Sequence, residues 1–131
     1  MSDSQDIELI AHLMRRAGFS CNQDQLDRYV EKGYDALVEE LLNPELQEPF
    51  PEDLLYRYYP YFKIATALPS QQSHWILRMT STNRPLEEKM ALFWHGVFAT
   101  GFFKSNSGSA MWKQCEMLLR HGMGNFRTLL L

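Results

Sequence analysis

Arg84-Pro85-Leu86-Glu87-Glu88-Lys89-Met90-Ala91-Leu92-Phe93-Trp94-His95-Gly96-Val97-Phe98-Ala99-Thr100 is the stretch that decides the fold class. Pro85 stands where a first helical residue belongs, because the N–H it lacks would be unpaired there in any case. Glu87 and Glu88 follow in the first turn, where carboxylates suit the positive end of the helix dipole. Beyond them Leu86, Met90, Leu92, Phe93, Trp94, Val97 and Phe98 leave no wide polar face. That pattern predicts a helix running to about Thr100, central and buried on most sides.

Upstream, residues 71–79 hold Trp75, Ile76 and Met79 on one side of a second helical pattern. Pro44, Pro49, Pro51, Pro60 and Pro69 forbid a single long helix before it. Only two short helical turns, near residues 53–59 and 61–67, fit there, with a surface loop for the rest. At the start of the chain, Ile7, Ile10, Ala11 and Met14 fall on one helical stripe. Asp3 or Ser4 can cap that helix, and Gly18 stops it. Asn22 and Gln25 have the spacing of a capping box for a helix carrying Leu26, Tyr29 and Val30, with Gly33 as its end. A third helix runs over Tyr34–Leu42 and closes at Asn43-Pro44. Downstream, residues 104–108 read as a polar loop. Met111, Cys115, Leu118 and Leu119 stripe the next helix, Gly122 and Gly124 break it, and Asn125 can cap a last one. No alternating period-2 run of useful length occurs. The expected architecture is all-α: an irregular array of about six to eight helices within one region, 1–131, that forms part of a larger helical domain.

Composition narrows the function classes. An apolar fraction of 45% is ample for a packed core. A formal charge of -3, with Arg15-Arg16 as the densest basic pair, does not give the clustered basic face that nucleic acid requires. The first residues are acidic and polar rather than a secretory leader. The longest uncharged stretch, 90–103, is shorter than the roughly 20 residues of a membrane span. Cys21 and Cys115 are too few for a disulfide framework, so reduced thiols in a cytoplasmic protein are the expectation; a processed chain would look the same.

Ala11-His12-Leu13-Met14-Arg15-Arg16-Ala17-Gly18-Phe19, the Arg84–Thr100 block quoted above, and Gly124-Asn125-Phe126-Arg127 resemble, in order and spacing, the bacterial family called domain of unknown function 1800. The resemblance implies a helix-rich protein of several hundred residues, of which these would be the N-terminal part, and no established activity. It also implies a second histidine two places beyond His95, where this chain has Val97. Residues two apart on a helix point about 200° apart, so such a pair could chelate one ion only if the helix opened there.

The residues that could carry chemistry are His95, Glu88, Arg84 and Arg16. His95 and Glu88 lie seven residues apart on one helical face, which suits a general base or metal ligand oriented by a carboxylate. The simpler reading, favoured here, is a buried core histidine whose nitrogens are hydrogen-bonded. Arg84, with Arg15 and Arg16, could clamp a carboxylate or phosphate; inter-helix ion pairs or plain solvation are the favoured alternative. Glu87 and Glu88 diverge too far to act as an acid/base couple, and dipole compensation accounts for them. The aromatic run Tyr56, Tyr58, Tyr59, Tyr61 and Phe62 is read as packing of an irregular segment, with base or sugar stacking or a protein-docking surface as alternatives. Cys21 precedes a helix N-terminus, where a thiolate would be stabilised, but it has no adjacent base. No complete metal, cofactor or nucleophile motif is present, so neither metal nor cofactor is expected. The leading expectation is a scaffold or interaction region that meets the remainder of its own chain, or another protein, through apolar surface. The alternative is part of a hydrolase or metal-dependent enzyme completed by downstream residues. The apolar ending Phe126-Arg127-Thr128-Leu129-Leu130-Leu131 lacks a polar last turn. It suggests a chain that continues, with a patch around Phe102, Phe103, Met123 and the last leucines that would drive self-association.

Overall fold

A computed structural model of the protein describes residues 3–19, 21–64 and 68–130, with the side chains of 3, 63, 64 and 68 left aside. Among the described residues every element is helical: α1 (Asp3–Ala17), α2 (Gln23–Lys32), α3 (Tyr34–Leu42), a 3-10 turn (Pro44–Leu46), α4 (Glu52–Tyr58), α5 (Pro60–Ile64), α6 (Leu68–Ser81), α7 (Pro85–Val97), α8 (Phe102–Ser105), α9 (Gly108–His121) and α10 (Phe126–Leu130). The fold is all-α. Seven of the ten helices have at least seven residues; of the three shorter ones, α5 falls at the short turn expected near 61–67 and α10 is the last helix expected after Asn125, while α8 is a single turn that overlaps the start of the expected polar loop 104–108. Part of the predicted turn at 61–67 lies outside the described residues.

The first three helices close on one another because their starts and stops are written locally. Asn22 Oδ1 accepts from Gln25 N at 2.8 Å while Gln25 Oε1 accepts from Asn22 N at 3.0 Å, so two N-terminal amides of α2 are satisfied at once. Gly33 joins α2 to α3 at φ +89°, a conformation that a Cβ would strain. The resulting corner brings Ile10, Met14, Ala17, Leu37 and Leu41 into one buried cluster, closed by Leu86 from α7. Lys89, also on α7, donates to the Gly18 carbonyl at 2.9 Å and lies over the Phe19 ring, placing a cation at the C-terminal end of α1.

A second cluster forms on the other side of α7, where Ala91, Leu118 and Leu129 are buried against Trp75, Trp94, Phe98, Met117 and Leu119. Helix α7 packs most extensively on α9 and also touches α1, α3 and α6, so it is central. It is not buried on most sides: Leu92, Phe93 and Val97 are exposed, and the helix ends at Val97 rather than near Thr100. Its apolar residues therefore make two faces, one inward and one bare. Helix α6 departs further from its sequence pattern. Ile76 is exposed, whereas Gln71 and His74 are buried and Arg78 is largely so.

Candidate functional site

The polar face of α6 is where charge collects. Positions 71, 74 and 78 lie on one side of a helix, and α4 and α7 bring carboxylates to meet it. Glu52, at the start of α4, accepts from His74 Nε2 at 3.0 Å and from Arg78 Nη1. Because Glu52 is the acceptor, Nε2 carries the proton of that bond. Tyr56 also hydrogen-bonds Glu52. On the far side of the guanidinium, Arg78 Nε and Nη2 both reach Glu88 Oε1, at 2.9 and 2.8 Å, and the Trp75 indole N–H donates to Glu88 Oε2 at 3.0 Å. Arg78 thus bridges two carboxylates, one of which, Glu88, is 1% exposed.

The two carboxylates respond in opposite directions. Burial works to raise the Glu52 carboxyl, but the His74 hydrogen bond and the Arg78 charge outweigh it and hold the group below its ordinary value. For Glu88, burial dominates and pushes the carboxyl up despite Arg78 and Trp75. Burial, together with the Glu52 charge, pushes the Tyr56 phenol up to about 12, so it stays a neutral donor.

His74 is enclosed by aromatic rings. Phe62 stacks on it at 5.5 Å between centroids, Trp112 at 4.2 Å, and Tyr56 meets it edge-on at 5.6 Å. Tyr56 and Phe62 of the aromatic run are therefore packing residues, while Tyr58, Tyr59 and Tyr61 of the same run are exposed.

Outside this network lies an open cleft of about 520 Å³, lined by Glu52, Tyr56, Arg78, Arg84, Glu87, Glu116 and Arg120 together with Pro49, Phe50, Trp112 and Leu119. A smaller cavity of about 230 Å³ is walled by Gln71, Gln72, Trp75, His95, Met111, Trp112 and Cys115. Trp112 is common to both. The Cys115 thiol is pushed up to about 11, first by burial and then by the charges of Glu88 and Glu116, which suits a packing group rather than a nucleophile.

The four sequence candidates do not converge. Glu88 does not orient His95. Trp75 touches both, bonding Glu88 through its N–H and meeting the His95 ring edge-on at 5.3 Å. His95 is half-buried and its Nδ1 is buried without a hydrogen-bond partner. The expected hydrogen bonds of a core His95 are thus not formed among the described residues; the histidine that is fully buried and hydrogen-bonded, through Nε2, is His74. Glu88 is also more than dipole compensation, since it is the buried partner of Arg78. Arg84 donates through Nε and Nη2 to the Gln47 carbonyl at 2.9 and 2.6 Å and stands 3.8 Å from Glu87, tying the loop after the 3-10 turn to α7. Arg16 is exposed on α1, far from these groups in the chain, with no ion pair among the described residues. The Cys21 thiol is raised by burial, so no stabilised thiolate forms there. Among the described residues no group of three or more His, Cys, Asp or Glu is placed to hold a metal ion.

Sequence reasoning missed Glu52, His74 and Arg78. The available signal was the polar i, i+3, i+7 set Gln71, His74 and Arg78 inside a helix whose neighbouring Ile76 points outward. Polar residues at core spacing mark a buried network that must find partners elsewhere.

No helix of the described residues is long and apolar enough to cross a membrane. No curated protein and no solved structure matches the chain. The family described as "Protein of unknown function (DUF1800)" matches residues 12–131, a span that takes in α2–α10, the second buried cluster, the first apart from Ile10, and the Glu52–His74–Arg78–Glu88 network. The chain belongs to the DUF1800 family.

Proposed function

We propose that these residues serve as a helical interaction platform, one unit of a longer polypeptide whose further helices pack on the bare face of α7 and α10. The observation that carries this reading is a run of exposed aromatic surface. Phe93 and Phe126 are 56% and 54% exposed, and both rings lie against Trp94, with centroids 5.0 and 5.5 Å apart. Leu92 and Val97 on α7 and Leu130 on α10 are exposed beside them in sequence. Large apolar groups clustered on one face favour a partner, because contiguous apolar surface left in water promotes association. A segment of the same polypeptide is the occupant we favour, since the family resemblance implies several hundred residues. The buried Glu88 and the largely buried Arg78 satisfy one another, which suits a structural role.

The enzymatic alternative, a hydrolase or metal-dependent enzyme built around His95, needs a group that orients that imidazole. None of the described residues hydrogen-bonds to it, so this reading has less support.

Sedimentation of the 131-residue chain over a range of concentrations, combined with hydrophobic-dye fluorescence, tests the proposal. The parent should self-associate and bind dye, and the double variant Phe93→Glu/Phe126→Glu should be monomeric with a weaker dye signal. A monomeric parent with negligible dye binding would sink the interaction reading.

A further inference from the structure

Where α6, α7 and α9 meet, the helices leave a cavity of about 230 Å³. Trp75 on α6, Trp112, Met111 and Cys115 on α9, and His95 on α7 line it, with two glutamine side chains of α6. Both indole N–H groups are already used, by Glu88 and Glu116 at 3.0 and 2.9 Å, so the two rings offer a guest carbon surface. Among the described residues no carboxylate, guanidinium or ammonium lines the space, and the Cys115 thiol, pushed up to about 11, stays neutral. His95 makes no hydrogen bond among the described residues. Its Nδ1 is closed off from solvent and Nε2 is not, so Nε2 is the ring nitrogen that a guest can reach. The Trp75 ring stands edge-on to the imidazole at 5.3 Å, so this polar group borders an aromatic wall.

Size, charge and wall chemistry each narrow the guest. An apolar cavity of roughly 150 Å³ takes up benzene, so this one has room for a benzene ring with a small substituent. It falls short of the roughly 300–1,000 Å³ of pockets for drug-sized molecules, which excludes nucleotides and sugar chains. An ionised guest would lose its water with no fixed counter-charge in the walls, a far larger cost than a neutral guest meets. Indole faces and the sulfurs of Met111 and Cys115 favour an aromatic ring over an aliphatic one. A hydroxyl can donate to Nε2 or accept from it, so it suits either tautomer of the imidazole. From this pattern we infer that the cavity binds a small neutral phenol, its ring against the two indoles and its hydroxyl on His95 Nε2. The inference goes beyond the interaction platform and stands or falls separately from it, since the cavity and the bare face of α7 and α10 share no residue.

Nuclear magnetic resonance of the 131-residue chain, kept dilute and titrated with phenol, toluene and benzoate, tests the inference through its three indole N–H signals. Phenol and toluene should shift the Trp75 and Trp112 signals and leave Trp94, which lies outside the cavity, unmoved. Benzoate should bind about tenfold more weakly than phenol or not at all. His95→Phe keeps a ring in the wall but removes both nitrogens, so the ratio of phenol to toluene affinity should fall about fivefold. Met111→Trp, at a half-buried position, should fill the space and abolish the shifts for both neutral probes. The circular dichroism of the parent is the check that each variant is folded, and the comparison among probes needs no variant at all. Absence of binding by phenol, or a shift confined to Trp94, overturns the inference. So does benzoate binding as well as phenol, an unchanged phenol-to-toluene ratio in folded His95→Phe, or unchanged binding in folded Met111→Trp.

Discussion

Arg78 holds two carboxylates with one guanidinium, and the consequences differ on its two sides. Toward Glu52 it meets a carboxyl with 30% of its side chain exposed, where water softens any loss. Toward Glu88 it is the counter-ion of a carboxylate with almost no contact with solvent. A buried ion pair adds little net stability over a well-packed apolar pair, but removing one partner leaves an uncompensated charge. Arg78→Met should therefore destabilise the protein by about 3–5 kcal/mol, read as a lowered urea midpoint. Pairing it with Glu88→Gln should recover a substantial part of that loss, since the neutral amide can still accept from Trp75. If the double variant is no more stable than Arg78→Met alone, the cost does not come from the stranded carboxylate.

At the scale of elements, local chemistry was legible and long-range chemistry was not. The capping box at Asn22, the stop at Gly33 and the proline start of α7 depend on residues within a few positions, and each sits where the sequence puts it. Helix α6 was misread because periodicity assumes that the inward face is the apolar one. Its true inward partners come from Glu52 and Glu88, which no window centred on α6 contains together. Of the candidate site, Glu88 and Arg84 could be named as charged residues at a helix start, but their partners could not. The exposed side of α7 was invisible for another reason: apolar residues all round a helix do not say which of them are covered. The α9–α10 junction offers an element-level test. Trp94 Nε1 donates to the Gly122 carbonyl at 2.8 Å, and a Cβ added at Gly122 would fall against the Leu118 carbonyl oxygen and 3.2 Å from the Trp94 ring. Gly122→Ala should cost on the order of 1–3 kcal/mol through overpacking, seen in thermal unfolding. An unchanged melting temperature would mean that the tight approach of the Trp94 ring is not required.

For the whole molecule, the arrangement of cores matters more than their size. One cluster belongs to α1, α2 and α3, the other to α9 and α10, and α7 supplies Leu86 to the first and, with Phe98 just past its end, Ala91 and Trp94 beside or within the second. A helix is a stiff rod of hydrogen bonds, so it cannot loosen at one end without exposing what it covers there. The shared rod should make the two clusters unfold as one cooperative unit rather than as successive layers. Leu37→Ala, in the first cluster, and Leu118→Ala, in the second, should each cost about 2–5 kcal/mol. Each should move a single calorimetric transition without splitting it; a second transition in either variant would mean independent clusters. A further consequence follows for how sequence change is tolerated. A length change of one residue within α7 would rotate everything beyond it by about 100° relative to what precedes it. Insertions and deletions should therefore be rejected along α7 even where substitutions are accepted, which makes this helix the ruler against which the rest of the chain is kept in register.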